Sequence, residues 1–250
     1  MRFESKVILV TGGSSGAGKA IVERLASEGA AVVIGARRKE AGDALAERIR
    51  SGGGKAVFVP ADVTVEADAQ ALVRAAMDEF GRLDGAVNNA GGVEAMGPIP
   101  GISERAWRAE LDLNLTSVFF GLKHQIPAIT ASGGGAVVNN ASSLAVVGAG
   151  GMGAYTAAKH GVVGLTKVAA LESAPSVRVN AMITHAIDTP LFRGMAGGNE
   201  EVIAQVASTI PARRLCEPAE VAALAAFLLS EEAPFATGAA IAVDGGYTAA

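Results

Sequence analysis

Cysteine is all but missing from this chain. Cys216 stands alone among 250 residues, so no internal disulfide can form and a reducing cytoplasm is the expected setting. Charge is sparse as well, at 18% Asp, Glu, Lys and Arg, and the basic residues are scattered. With a formal net charge of -4 and no basic patch to track phosphates, nucleic acid is not expected as a partner. Met1 to Lys6 leads straight into Val7-Ile8-Leu9-Val10, which leaves no room for the apolar segment of a signal peptide. The stretch between Lys123 and Lys159 contains no Asp, Glu, Lys or Arg. It is nevertheless broken by Gly133-Gly134-Gly135, Asn139-Asn140 and Ser142-Ser143, so it reads as a buried strand, a loop and a helix start, and no membrane span is expected. Repeats, low-complexity tracts and linkers are missing too.

Half of the residues are hydrophobic and 32 are glycine, a composition for a compact core with many tight turns. The length fits one α/β domain covering residues 1–250. Apolar runs of four to six residues alternate with longer helical patterns, which implies βαβ units on a parallel sheet. Seven strands are predicted near 6–11, 31–35, 55–59, 84–88, 135–140, 176–182 and 239–243. Runs such as Ala31-Val32-Val33-Ile34 lack polar alternation, as expected where helices cover both faces of a doubly wound, Rossmann-like sheet.

The first βα turn reads Thr11-Gly12-Gly13-Ser14-Ser15-Gly16-Ala17-Gly18. Glycines there let the backbone approach a pyrophosphate, and a helix N-terminus supplies free N–H groups and a positive dipole end. Gly12, Ser14, Ser15, Gly16 and Ala17 are therefore candidate dinucleotide contacts. The second strand ends in Ala36-Arg37-Arg38, without the carboxylate that holds an NAD ribose and with two cations in its place, which favours NADP(H) over NAD(H). The competing reading of these arginines is a solvated loop at the next helix start. Asp62, with Val63 beside it, could accept from an adenine amine or cap a helix beginning near Val65. Asn89, Ala90 and Gly91 follow the fourth strand, where open α/β sheets bind ligands, although a plain turn would look the same.

Tyr155 and Lys159 lie four residues apart, on one face of a helix. A neighbouring ammonium favours the phenolate, so Tyr155 is a candidate proton donor and acceptor whose pKa is expected to fall. The bland alternative is a half-buried ring under a lysine stem.

Taken in order along the whole chain, these motifs resemble the short-chain dehydrogenase/reductase family in its form of about 250 residues. Thr11 to Gly18 is similar to its cofactor turn, Asn88 to Gly91 to its NNAG segment, Tyr155 with Lys159 to its YxxxK pair, and Val243-Asp244-Gly245-Gly246 to its usual C-terminal ending. Ser142 precedes Tyr155 by the family's 13 residues, with Ser143 as its rival, and Asn114 matches the family's helix asparagine. The resemblance implies hydride transfer between the nicotinamide cofactor and a carbonyl or secondary alcohol. Ser142 would polarise the carbonyl and Tyr155 would act as acid or base. Lys159 would hold the nicotinamide ribose, and Asn114 would position water. Ile187 and Thr189 match positions that bind the carboxamide end. A homotetramer through the helices near 105–130 and 153–173 is implied, with Ala157, Ala158, Gly161 and Gly164 permitting close approach.

Thr184-His185 departs from the family's Pro-Gly, which brings an imidazole to the nicotinamide side and should loosen the loop. Leu144, Met152 and His185 are candidate substrate contacts beside Ser142 and Tyr155, and an apolar small-molecule alcohol or ketone is the expected substrate class. No metal is called for. Two alternatives remain: a 3-oxoacyl-[acyl-carrier-protein] reductase-like enzyme, which predicts a basic docking surface, and a non-catalytic dinucleotide-binding regulator, which would have no need of a proton donor.

Overall fold

In a computed structural model, which describes residues 1–249, seven parallel strands form a single sheet. They are β1 (Val7–Thr11), β2 (Ala31–Ala36), β3 (Lys55–Pro60), β4 (Gly85–Asn88), β5 (Gly135–Asn140), β6 (Val177–Thr184) and β7 (Ala240–Val243), arranged in the order β3-β2-β1-β4-β5-β6-β7. The expected strands are all present with ends within two residues, the largest difference being β6, which runs on to Thr184.

Successive strand residues point to opposite faces, and both faces are covered. Ile8, Val10, Val32 and Ile34 pack under α1 (Gly16–Ser27), α2 (Lys39–Ser51) and α9 (Pro218–Leu229). Val7, Leu9, Ala31 and Val33 pack on the other side with α3 (Glu66–Phe80), α5 (Ser117–Ala131) and α6 (Gly153–Ser173). Two apolar layers are therefore served by one β-branched run, which is why the strands show no polar alternation.

The chain leaves β1 toward β2 on one side and β4 lies on the other, so the strand order reverses between β1 and β4. A crevice opens at the carboxyl ends of strands at such a point. The helix expected over 105–130 is present as one continuous run with an irregular middle: α4 (Glu104–Leu111) passes through a π-helical turn at Asp112–Thr116 and continues as α5. Two short helices, α7 (Pro190–Met195) and α8 (Glu200–Thr209), follow β6 above the crevice. None of the helices among the described residues is long and apolar enough to cross a membrane.

Candidate active site

The glycine-rich turn opens α1. Gly12 and Gly16 have φ of 65° and 52°, a left-handed conformation that glycine adopts without a side-chain clash. Gly18 has a different constraint: a Cβ there would lie 2.3 Å from the Gly12 carbonyl oxygen and 2.5 Å from the Asn89 amide. Ser15 is the N-cap of α1 but makes no side-chain cap bond, so the first N–H groups of the helix remain for a ligand. Ala17 packs its methyl into the core, which leaves its backbone as the only part facing the turn. Ser14 is buried beside it.

The two arginines diverge. Arg38 reaches back to donate to the Ser15 hydroxyl, placing a guanidinium at the turn. Arg37 is exposed, and its charge helps to hold the Asp62 carboxyl below its usual range, after the stronger effects of the Thr64 backbone and hydroxyl. Those Thr64 bonds to Asp62 Oδ1, at 3.0 and 2.7 Å, form a tight local turn. The N-cap of α3 is Val65, so the capping alternative for Asp62 is set aside; Val63 is half-buried next to it.

Thr11 organises the next segment. Its Oγ1 accepts from the N–H groups of Asn89 and Ala90 at 3.0 and 3.1 Å, and its carbonyl accepts from the Asn89 amide at 3.1 Å. Asn140 donates to Asn89 Oδ1 at 3.0 Å. The Asn89 side chain is thus a brace joining β1, β4 and β5, and backbone atoms are what it and Ala90 present to the crevice. Gly91 lies beyond them, where a Cβ would meet Asn114 Oδ1 at 2.9 Å and Lys159 Nζ at 3.5 Å.

On α6, Tyr155 and Lys159 share a face, with Lys159 Nζ 5.5 Å from the tyrosine ring centroid. Lys159 is buried and donates to the Asn140 carbonyl at 3.0 Å. Burial brings its pKa down to about 8, against the opposing pull of Glu110. The expected fall of the Tyr155 pKa does not occur. Burial of the phenol is the largest influence and pushes it up to about 12, the Ser142 hydroxyl lowers it, and Glu110 raises it further. Loss of water around the phenolate outweighs the ammonium because the lysine points to Asn140 rather than to the phenol oxygen.

The structure separates the two serines. Ser142, at the end of β5, lies beside Tyr155, whereas the buried Ser143 is hydrogen-bonded through Oγ to His185 Nδ1 at 2.8 Å. His185 also stacks on Tyr247, with ring centroids 3.7 Å apart and planes 12° from parallel. The imidazole is packed, neither turned outward nor free for a substrate at Nδ1. Thr184 does not loosen the loop either, since it pairs with Val243 in the sheet and its hydroxyl reaches Asn140 Oδ1 at 3.1 Å. That hydroxyl supplies a tether where a proline would have supplied a φ restraint.

Beyond it, Ile187 bridges to Cys216, and Thr189 caps α7 by accepting from the Phe192 N–H at 3.2 Å. The Thr189 side chain also lies against Gly16, so the loop after β6 closes onto the glycine turn. Met152 pairs with Gly97 across the mouth, while Leu144 is buried and offers little surface. Among the residues near the site, Glu110 and Tyr247 were not expected. Glu110 carries the one readable signal, standing four residues before Asn114 on the same helical face.

A family model described as Enoyl-(Acyl carrier protein) reductase matches residues 12–248. The chain is 41% identical to the cyclohexanol dehydrogenase of Acinetobacter sp. (strain SE19), over 99% of this chain and 96% of that one. It is 44% identical to the cis-4-hydroxycyclohexanecarboxylate dehydrogenase of Sinomonas cyclohexanicum, covering 99% and 98%. Among solved structures, levodione reductase superposes with a TM-score of 0.95 at 35% identity, covering 100% of both chains.

Proposed function

Since the chain belongs to the short-chain dehydrogenase/reductase family and is an oxidoreductase, we propose that it interconverts a secondary alcohol and its ketone with NADP(H), using Tyr155 as general acid and base. The observation that carries this reading is the meeting of Ser142, Tyr155 and Lys159 at the carboxyl end of the sheet, beside the glycine turn.

The turn fits a dinucleotide because Gly18 leaves no room for a side chain and α1 keeps its first amides free. Gly12, Ser14, Ser15, Gly16 and Ala17 would hold the pyrophosphate, and Arg37 and Arg38 a 2′-phosphate. Asp62 and Val63 would border the adenine, with Asn89, Ala90, Gly91, Ile187 and Thr189 along the nicotinamide half. When bound, the cofactor supplies or accepts the hydride.

The protein's own part is proton transfer and charge stabilisation. Ser142 donates a hydrogen bond to the carbonyl oxygen as negative charge develops there, and Tyr155 delivers the proton. With its pKa raised to about 12, the phenol is protonated at neutral pH, the form that donates during reduction. Oxidation needs the phenolate and should quicken as pH rises. Lys159 would hold the cofactor ribose, and Asn114 braces the neighbouring loop through Gly92.

The relatives are named for alcohols on six-membered carbocycles, and the loops and short helix that follow β4, β5 and β6 expose apolar Met96, Val146, Leu191 and Met195, with Met152 half-buried beside Gly97. An alicyclic secondary alcohol or ketone is the substrate class these features favour. The assembly we infer is a homotetramer through α5 and α6.

The test is to assay cyclohexanol with NADP⁺ and cyclohexanone with NADPH in wild type and Tyr155→Phe. Losing the general acid should lower turnover by about 10²-fold to 10⁴-fold with cofactor affinity nearly unchanged. Wild-type turnover in the variant would remove Tyr155 from the mechanism.

A further inference from the structure

Glu110 is fully buried on α4, yet among the described residues no arginine or lysine bonds to it directly. Its Oε2 accepts from the backbone N–H groups of Glu94 and Ala95 at 2.7 and 2.6 Å, and its Oε1 accepts from Asn114 Nδ2 at 2.8 Å. The direction of the Asn114 amide is fixed independently, because its Oδ1 accepts from the Gly92 N–H at 3.2 Å and its Nδ2 also donates to the Gly92 carbonyl at 2.9 Å. All three partners of the carboxyl are therefore donors. An ionised carboxylate is an acceptor only and suits such a set; a protonated one would bring a fourth donor without a partner.

The charged and titratable groups that face it come from two directions. From α6 they are Lys159, whose charge favours the carboxylate, and Tyr155; from the loop after β4 it is Glu94, which opposes it. Arg108, on its own helix, is turned to Glu104 at the surface. Asn114 and the Lys159 ammonium crowd the same glycine, Gly91, so the amide that Glu110 holds on one side stands next to the ammonium on the other.

We propose that Glu110 is a positioning residue for the reaction: a buried carboxylate that supplies the counter-charge to Lys159 and, through the same two oxygens, anchors the pocket loop at Glu94 and Ala95 and the Asn114 amide. This rests on the roles given above to Tyr155 and Lys159. Burial pushes the Glu110 carboxyl up from its usual range, while the two loop N–H groups and Lys159 pull it back. Burial depresses Lys159, and Glu110 holds it up. Removing the carboxylate charge should move the lysine, and with it the alkaline limb of ketone reduction, to lower pH.

The experiment pairs NMR titration of the lysine side chains in the full chain with pH profiles of kcat/KM for wild type, Glu110→Gln and Glu110→Asp. In Glu110→Gln the Lys159 midpoint should fall by roughly one unit or more, the size expected for losing a nearby opposite charge. The alkaline limb should move with it, and Glu110→Asp, which keeps the charge, should restore much of both. An unmoved Lys159 midpoint, or a profile scaled down equally at every pH, would overturn the proposal. Wild type supplies a check that needs no variant: the Glu110 carboxyl carbon must report the ionised form between pH 6 and 8, and a protonated signal there would overturn it too. The lysine titration does not depend on turnover. Failure of Tyr155→Phe to slow the enzyme would thus count against the catalytic reading while leaving the charge coupling measurable.

Discussion

His185 shows how much a single side chain can owe to residues far away in sequence. Its ring is held between Ser143 on one loop and Tyr247 in the C-terminal segment, which is itself pinned by Asp244 accepting from Gly246 and Thr248. His185→Gly removes a stacked pair and a hydrogen bond, each contributing about 0.5 to 1.5 kcal/mol. Unfolding stability should fall by about 1 to 3 kcal/mol, or about 2 to 12 °C in Tm for a chain of this size. Burial lowers the His185 pKa, with Asp244 opposing, so the folded protein binds this proton less readily than the unfolded chain. The stabilisation is present above the unfolded value of about 6.5 and is lost as pH falls through the lower folded value. Melting curves from pH 8 to 5 should therefore show the gap between wild type and variant narrowing in acid; a constant gap would mean that the ring's protonation is not linked to folding. Tyr155 and Lys159 are legible in the sequence because a spacing of four fixes a shared helical face. The direction of the tyrosine shift is not, because it depends on burial and on Glu110, which local sequence does not reveal.

At the scale of elements, the proposed NADP(H) preference rests on the place where the end of β2 meets the start of α1. Ala36 leaves that strand end without a carboxylate, and Arg38 is already drawn to Ser15. If the guanidinium meets a 2′-phosphate there, Arg38→Ala should reduce the preference for NADPH over NADH by roughly 10-fold to 150-fold, the equivalent of one charge-assisted bond. Fluorescence titrations of both cofactors decide it, and equal or tighter NADH binding by wild type would contradict the assignment. The strands themselves are readable to within two residues because each is a short apolar run bounded by glycine or polar residues. The irregularity within the helix over 104–131 is not readable. Its π-helical turn carries Asn114, whose partners Gly92 and Glu110 include a loop 22 residues earlier, and no local propensity encodes that.

For the whole molecule, the question is what covers the outer face of α5 and α6. Phe119, Val168 and Leu171 are exposed there, Leu171 at 82%, alongside the exposed Ala157 and Gly164. Of the four small residues expected to allow close helix approach, Ala158 is buried within the subunit and Gly161 faces Leu115 of its own chain. The contact proposed above would then centre on Ala157, Gly164, Val168 and Leu171, which recur along one side of the helix. Burying apolar side chains grouped on a helix face against a second copy is favourable by about 25 cal/mol per Å² removed from solvent. Light scattering should accordingly give four times the 25.0 kDa chain mass for wild type. Leu171→Glu should shift the distribution toward smaller species, because each symmetric copy would bring an uncompensated carboxylate to the contact. A single-chain mass for wild type in dilute solution would exclude the tetramer. An unchanged tetramer in Leu171→Glu would instead move the interface away from this face.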